Sequence, residues 1–265
     1  MRARHPAVAG MFYPDQADLL RQEVKKFLSS NSVETGKNQY DNSVKAIIAP
    51  HAGYIYSGAV AGKVYRYLYQ NHDSFNRIIL LGPAHRVPFK GIVHAQCQFF
   101  ETPLGNIKVD IEALEKLEQQ GLIEGSSFAH RDEHCLEVQL PFIQNVLGDE
   151  VAIVPLLVGD ASPEQVRLVL DALWRPGDLI VVSSDLSHYL PYDEAVEKDR
   201  FTSQKICDMN AQLTGNEACG CRPISGLLLF SQQQGWHVDC VELKNSGDTA
   251  GDKSRVVGYG AYVCY

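Results

Sequence analysis

The sequence has no long hydrophobic run and no block of basic residues. Its strongest apolar stretches, such as residues 47–49 and 179–182, are far shorter than the roughly 20 residues that a membrane-spanning helix needs. The N-terminal region has no apolar segment of signal-peptide length. The net charge is −8 and Lys and Arg are not clustered, which argues against a nucleic-acid partner. We therefore expect a cytoplasmic protein with no affinity for membranes or nucleic acids.

Internal repeats and low-complexity segments are also missing. The 265 residues, 45% hydrophobic and 21% charged, have the length and composition of one α/β domain with a large core. The seven cysteines are an odd number in a chain with no export signal, a combination that favours reduced thiols over a disulfide framework. These features predict a single domain over residues 1–265.

Short apolar runs alternate along the chain with amphipathic helical patterns. Buried strands are predicted at residues 44–49 and 77–81, a further strand at 151–158 and a strongly apolar one at 178–183. Weaker strands are predicted at 91–95 and 106–109, and two closing strands at 236–243 and 256–264. Helices are predicted at residues 19–28, 57–70 with Ser57 as its cap, 111–120, 134–147, 163–174, 193–213 and 224–234, and a surface loop at 29–43. Pro141 either kinks the helix at 134–147 or marks its first turn. This alternation predicts a three-layer α/β/α sandwich with a mainly parallel sheet.

Three of the predicted strands are followed by a histidine at nearly the same distance. They are His51, His85 and His188, the last of which shares its loop with Asp185. Ligands of an open α/β sheet bind beyond the carboxyl ends of the strands, so these side chains are expected to meet. Two imidazoles with one carboxylate are the ligand set of non-haem iron oxygenases. The spacing therefore predicts a shared metal or substrate site, with Asp185 as its carboxylate.

The sequence Cys219-Gly-Cys221 precedes the last predicted helix. A thiol near a helix N-terminus is more readily ionised, and thiolate is a soft metal ligand. One residue between the two cysteines is not the spacing of common zinc knuckles. Structural burial is therefore the default interpretation for both thiols, and a metal ligand is the alternative.

His134 and Glu137 lie three residues apart, on one face of the helix predicted there. The pair is interpreted as an acid–base histidine with a supporting carboxylate, or else as an exposed helix start. A zinc protease is disfavoured, because its helix needs His-Glu-x-x-His and the order from His130 is His-Arg-Asp-Glu-His. A serine hydrolase is disfavoured as well, because residues 183–188 lack the Gly-x-Ser-x-Gly elbow and the members of a triad come from separate loops.

Five motifs in order resemble the Memo family, whose prokaryotic members are called AmmeMemoRadiSam system protein B. The motifs are Arg-His-Pro-Ala-Val-Ala-Gly-Met-Phe-Tyr-Pro at residues 4–14, Pro-His-Ala-Gly-Tyr-Ile-Tyr-Ser-Gly at 50–58, Leu-Gly-Pro-Ala-His at 81–85, Ser-Ser-Asp-Leu-Ser-His at 183–188 and Cys-Gly at 219–220. The resemblance runs from the N-terminus to the tail. It implies a fold similar to that of the class III extradiol ring-cleaving dioxygenases.

The resemblance also implies a set of site residues. The metal ligands of the family correspond to His51, His85 and Cys219, with Asp185 and His188 matching residues beside the metal. A glutamate completes the iron site of the dioxygenases, whereas the Memo pattern has a thiolate or an aspartate instead. This departure argues against ring cleavage.

The resulting hypothesis is a non-haem metal protein with oxidoreductase-type chemistry. The implied ligands would bind iron(II), with copper or zinc as alternatives, while His188 moves protons and Asp185 orients or ligates. His134 is the further catalytic candidate. Its segment resembles the family's His-Ser-x-Glu, with Cys135 in place of the serine.

Two other functions stay open on the sequence. One is a non-catalytic module that keeps the cleft for a peptide or partner protein, with Tyr54, Tyr56 and Arg222 as contact candidates. The other is metal-assisted hydrolysis with zinc. The prokaryotic family name implies partnership with an AMMECR-type protein and a radical S-adenosylmethionine protein, and a small molecule or peptide is the expected ligand of the cleft.

Overall fold

A computed structural model describes residues 2–29, 44–69, 75–148 and 150–265, which form a mixed α/β structure. The strands are β1 (Ala3–Arg4), β2 (Ala46–Ala49), β3 (Arg77–Pro83), β4 (Ile92–His94), β5 (Phe99–Thr102), β6 (Gly105–Lys108), β7 (Glu124–Gly125), β8 (Ala152–Val158), β9 (Asp178–Ser183), β10 (His188–Leu190), β11 (Val238–Asn245) and β12 (Val256–Cys264). The α-helices are α1 (Ala17–Ser29), α2 (Tyr54–Tyr65), α3 (Ile111–Gln119), α4 (Ser127–Arg131), α5 (Leu140–Leu147), α6 (Pro163–Leu173), α7 (Tyr192–Cys207) and α8 (Cys221–Gln234).

The large sheet is mixed, with parallel strands at its centre. Among the described residues it has nine strands in the order β10-β12-β2-β9-β3-β8-β4-β7, with β11 also paired to β12. Strand β2 is parallel to β9, β9 to β3 and β3 to β8, whereas β12 and β4 are antiparallel to their inner neighbours. Every residue of β9 is buried, as expected for a strand covered on both faces. Strands β1, β5 and β6 form a separate small sheet.

The helices fall into two groups that pack on different strands. Helix α2 lies on β2, β11 and β12 and contacts α1 and α5, whereas α8 lies on β3 and β9 and contacts α6, which contacts α3. Helix α7 lies against β11 and β12. Among the described helices, none has both the length and the apolar character needed to cross a bilayer.

A buried ion pair ties the N-terminal segment to the chain that follows α4. The guanidinium of Arg4 pairs with the carboxylate of Glu137, and both side chains are buried. Glu137 also accepts hydrogen bonds from the N–H groups of Ala7 at 2.7 Å and Val8 at 3.0 Å and from the hydroxyl of Tyr13 at 2.6 Å. One carboxylate thus fixes the position of the segment between β1 and α1.

Several predicted elements have their predicted bounds, and others differ for identifiable reasons. The strands predicted at 178–183 and 256–264 are found there, and all seven cysteines are free thiols as predicted. Helix α2 begins three residues earlier than predicted, so Ser57 is not its cap. It is buried inside the helix, and its hydroxyl donates to the carbonyl of Ala52 at 2.9 Å. Apart from Ser29, the predicted loop lies outside the described residues.

The prediction that a helix begins at residue 134 is wrong. The chain makes a turn there and then a 3₁₀ helix over Glu137–Gln139, and α5 begins only at Leu140. Pro141 lies in the first turn of α5, where its missing N–H costs no hydrogen bond. His134 therefore projects from an irregular segment. Helix α7 likewise ends at Cys207, six residues before the predicted end at 213.

Candidate metal centre

The loops after three neighbouring parallel strands meet at one edge of the large sheet. His51 follows β2, His85 follows β3 and Asp185 follows β9, which lies between them. The backbone N–H of His51 donates to the carboxylate of Asp185 at 2.7 Å, and both residues are buried. The carboxyl edge of the parallel strands therefore carries a polar centre in which His51 and Asp185 are buried.

Three imidazoles converge in this centre. The ring centroids lie 5.1 Å apart for His51 and His85, 5.4 Å for His51 and His134, and 4.8 Å for His85 and His134. One potential ligand atom from each residue lies within 4.8 Å of the others, a spacing at which one ion can be shared. His134 comes from outside the three strand-end loops, on the irregular segment between α4 and α5.

Ser183 sets the tautomer of His51. The Ser183 hydroxyl donates to the carbonyl of Cys135 at 2.7 Å and accepts from the side-chain amide of Gln139 at 2.8 Å. A hydroxyl has one hydrogen, so the 3.0 Å contact between Ser183 Oγ and His51 Nδ1 is donated by the imidazole. The lone pair of His51 Nε2 is therefore available to a metal.

The carboxylate of Glu133 orients His85 through hydrogen bonds. It accepts hydrogen bonds from the backbone N–H of His85 at 2.6 Å and from His85 Nδ1 at 3.0 Å. It also accepts from the N–H groups of His134 at 2.9 Å and Cys135 at 3.2 Å. Because a carboxylate only accepts, His85 carries its hydrogen on Nδ1, and its Nε2 lone pair is available as well. Glu133 was not among the predicted site residues.

Burial and repulsion from neighbouring imidazoles disfavour a positive charge on His51. Burial, and then the neighbouring imidazoles of His85 and His134, hold the pKa of His51 well below its ordinary value. Burial alone would raise the pKa of the Glu133 carboxyl, but the hydrogen bonds from His134 and His85 outweigh it and lower that pKa. The centre therefore combines a neutral His51 with an ionised carboxylate, the protonation states in which these groups bind or support a metal.

Cys219 lies against His51. Its Sγ is 3.4 Å from His51 Nε2 and accepts from the N–H of Asp185 at 3.3 Å. Burial, and then the nearby Asp185, raises the pKa of this thiol. Within the described residues, the groups spaced for one ion are the three imidazoles and the set His85, Glu133 and Cys135, neither of which includes Cys219. Its role as a ligand stays a prediction.

Asp185 lies in the loop between β9 and β10, and His188 is the first residue of β10. Nδ1 of His188 lies 2.8 Å from the carbonyl of Leu186, so Nδ1 carries the hydrogen and Nε2 is the basic atom. Burial raises the pKa of the Asp185 carboxyl, and the hydrogen bond from the His51 backbone opposes the rise. Cys221, the second predicted thiol, is buried as the first residue of α8. The catalytic roles predicted for His188, Asp185 and His134 stay predictions.

The carboxylate that supports His134 is not the one the helical spacing predicts. Glu137 points away, to Arg4 and the N-terminal segment, because the chain around His134 is not helical. Glu133 contacts His134 instead, with its Oε1 3.2 Å from Nδ1. This Nδ1 lies outside hydrogen-bond geometry and is a buried nitrogen without a hydrogen-bond partner in the described structure.

Acid is expected to destabilise the protein through the buried His130, which lies outside the imidazole cluster. Burial is the largest cause that lowers its pKa to about 3, whereas the unfolded chain titrates near its ordinary value. Above about pH 6.5, His130 is neutral in both the folded and the unfolded state. Between about pH 6.5 and pH 3 the unfolded state binds more protons than the folded state, so the free energy of unfolding decreases as the pH is lowered. We expect His130 to remove about 2 kcal/mol of unfolding free energy between pH 7 and pH 5.

Urea unfolding at pH 7, 6 and 5 measures this effect. The variant His130→Gln keeps a side-chain donor for the carbonyl of Val93, which His130 Nε2 contacts at 3.1 Å. It should show a shallower loss of stability in acid than the parent chain. Equal pH dependence in the two proteins would rule out His130 as the source.

Fold and site together define a class: an α/β protein with a cluster of histidine, glutamate and cysteine side chains able to bind a metal. Within that class, the chain belongs to the Memo family. The family model described as Memo-like protein matches residues 4–263.

Relatives match over the whole length. A MEMO1 family protein of Desulfurococcus amylolyticus is 34% identical over 100% of both chains. Proteins with the same description from Ignicoccus hospitalis and Aquifex aeolicus are each 35% identical, over 98% of both chains in each case. The family resemblance read from the motifs is thereby confirmed.

Proposed function

We propose that this protein is a non-haem metal protein in which His51, His85 and His134 bind a divalent metal, foremost iron(II), for oxidoreductase-type chemistry. The observation that carries the proposal is the approach of three potential ligand atoms to within 4.8 Å of one another. Neutral imidazole suits iron, copper and zinc alike, so copper and zinc are the alternatives.

Preorganisation supports the proposal. The hydrogen bonds of Ser183 and Glu133 fix the tautomers of His51 and His85 with Nε2 unprotonated. Such outer partners orient imidazole ligands and raise their basicity, and removing them commonly costs 10- to 100-fold in metal affinity. Two of the three proposed ligands thus need no tautomer change to bind.

The remaining polar groups have roles in the same proposal. A bound iron(II) or copper ion would supply Lewis-acid and redox chemistry. His188, with its basic Nε2, takes or returns a proton of the substrate, and Asp185 fixes the loop of His51 by accepting from its N–H at 2.7 Å. The family resemblance implies Cys219, and not His134, as the third metal ligand. The Sγ of Cys219 lies 3.4 Å from His51 Nε2.

The proposal extends to the fold, which we infer to be a three-layer sandwich similar to the class III extradiol dioxygenases. The connection from β2 through α2 to β3 runs one way along the sheet, and the connection from β8 through α6 to β9 runs the other way. Right-handed crossovers in opposite directions lie on opposite faces. The two separate helix groups support this arrangement.

Metal content tests the proposal directly. The chain is purified without oxygen, loaded with iron(II) and measured for metal per chain, expected to be about one. His51→Ala and His134→Ala should lose most of the metal, whereas His237→Ala, an exposed histidine elsewhere, should keep it. Wild-type metal content in both cluster variants would refute the proposal.

The Cys219→Ser variant decides between the two ligand sets. Retained metal in this variant, with loss in His134→Ala, supports the three-histidine set. Loss in Cys219→Ser with retention in His134→Ala supports the set implied by the family resemblance. Oxygen uptake by the loaded protein with catechol or thiol substrates then tests the oxidoreductase chemistry, and a His188→Ala variant should slow it.

The second candidate is a module that binds a peptide or partner protein through the same cleft. The exposed apolar side chain of Ile55, at 68% exposure, favours it, because Ile55 lies four residues after His51. This candidate would be supported if the metal-loaded protein takes up no oxygen but binds a partner. An AMMECR-type protein and a radical S-adenosylmethionine protein are the partners that we propose to test.

A further inference from the structure

A cavity of about 920 Å³ lies beside the N-terminal segment, away from the three imidazoles. Its walls come from β1, the loop after β3 and helix α4. No histidine of the metal centre lines it, although Arg86 follows His85 directly in the chain. It is therefore a space distinct from the proposed metal site.

Arginine dominates the charge of this cavity, in a chain whose net charge is −8. Arg2, Arg4, Arg86 and Arg131 line it, and Asp132 is the only carboxylate among its described lining residues. Two of the arginines are already neutralised: Arg4 by Glu137 and Arg131 by Asp132, the latter at 2.8 Å.

The other two arginines are available to a ligand. Within the described residues, the guanidinium groups of Arg2 and Arg86 form neither a hydrogen bond nor an ion pair. Both residues are exposed. A guanidinium presents a planar fork of donors that matches the oxygens of phosphate and carboxylate groups. Two such forks on one cavity favour an oxyanion.

Apolar groups complete the cavity. Phe128 is 62% exposed and Met11 is 72% exposed, and both line it with Val8 and Val87. The guanidinium of Arg131 lies 5.2 Å from the centre of the Phe128 ring. Exposed apolar surface next to cationic groups suits a molecule with one anionic end and one apolar end.

From these observations we propose that the cavity binds a small organic oxyanion, with the phosphate or carboxylate held by Arg2 and Arg86 and the apolar part against Phe128 and Met11. The site is separate from the proposed metal centre and does not depend on it. Binding involves no covalent step.

Calorimetric titration with phenylphosphonate and with benzoate tests the proposal. Phenylphosphonate carries a non-hydrolysable phosphate mimic on a ring, and benzoate carries a carboxylate, so the tighter ligand identifies the preferred oxyanion. Arg2→Ala and Arg86→Ala should each weaken binding about tenfold or more, since each removes a charge-assisted contact. Arg21→Ala is the matched control, an exposed arginine on α1 outside this cavity.

The titration is run on the chain as purified and again after metal is removed with a chelator and the chelator is dialysed away. Unchanged binding after metal removal supports the cavity as the site, and loss of binding would place the anion on the metal and overturn the proposal. If neither phenylphosphonate nor benzoate binds, the proposal is overturned as well. So would equal weakening by Arg21→Ala, which would indicate nonspecific attraction.

Discussion

Glu133→Gln is expected to lower the affinity for iron(II) by about 10- to 100-fold, the range typical when a group supporting a metal ligand is removed. The carboxylate accepts from four N–H groups, three on Oε1 and one on Oε2. A glutamine of the same shape has one oxygen and one NH₂ group. In either orientation its NH₂ faces an N–H donor, so the support of His85 is lost while the volume is kept.

The measurement is a competition titration against a chelator of known affinity, at one pH and without oxygen. Asp132→Asn is the matched control: it neutralises the adjacent exposed carboxylate, which pairs with Arg131, and should leave the affinity unchanged. Thermal unfolding of the metal-free proteins is measured in parallel. An affinity for iron(II) equal to that of the parent chain in a folded Glu133→Gln protein would contradict a supporting role of Glu133.

Glu137→Gln is expected to destabilise the fold by about 3 to 5 kcal/mol, because it leaves Arg4 as an uncompensated buried charge. The unfolding midpoint should fall by roughly 10 °C. Glu137 is fully buried and also accepts from the N–H groups of Ala7 and Val8. The variant therefore loosens the segment between β1 and α1 as well as breaking the ion pair.

Two further variants identify the cause. Glu112→Gln removes an exposed carboxylate that pairs with Lys116, and such surface pairs contribute about 0 to 1 kcal/mol, so its midpoint should barely move. Adding Arg4→Met to Glu137→Gln removes the unpaired charge, and the double variant should lose less stability than the sum of the single variants. Strict additivity would show that the buried charge is not the source.

Local sequence patterns predicted the elements whose burial is uniform. Strand β9 is buried at every position, so its apolar run has clear ends, and its bounds match the prediction. The segment around Pro141 is different. The sequence was compatible with a helix that continues through Pro141 and with a helix that has Pro141 in its first turn, and only the tertiary structure shows that the helix begins there.

The metal centre was also predictable only in part. Parallel strands bring their carboxyl ends to one edge, so the positions of His51, His85 and Asp185 along the chain were enough to predict their convergence. The support of the cluster by Glu133 and Ser183 was not predictable, since these contacts join residues 48 and 132 positions apart in sequence.

The sequence by itself thus determined the family, the α/β alternation and the strand ends that present the histidines, because short-range periodicity and ordered motifs encode them. Only the tertiary structure decided that His134 joins His51 and His85, which tautomers His51 and His85 adopt, and that two arginines in one cavity have no partner among the described residues. Those properties depend on which distant groups share a buried volume, and hydrogen bonds formed there follow from packing and not from spacing along the chain.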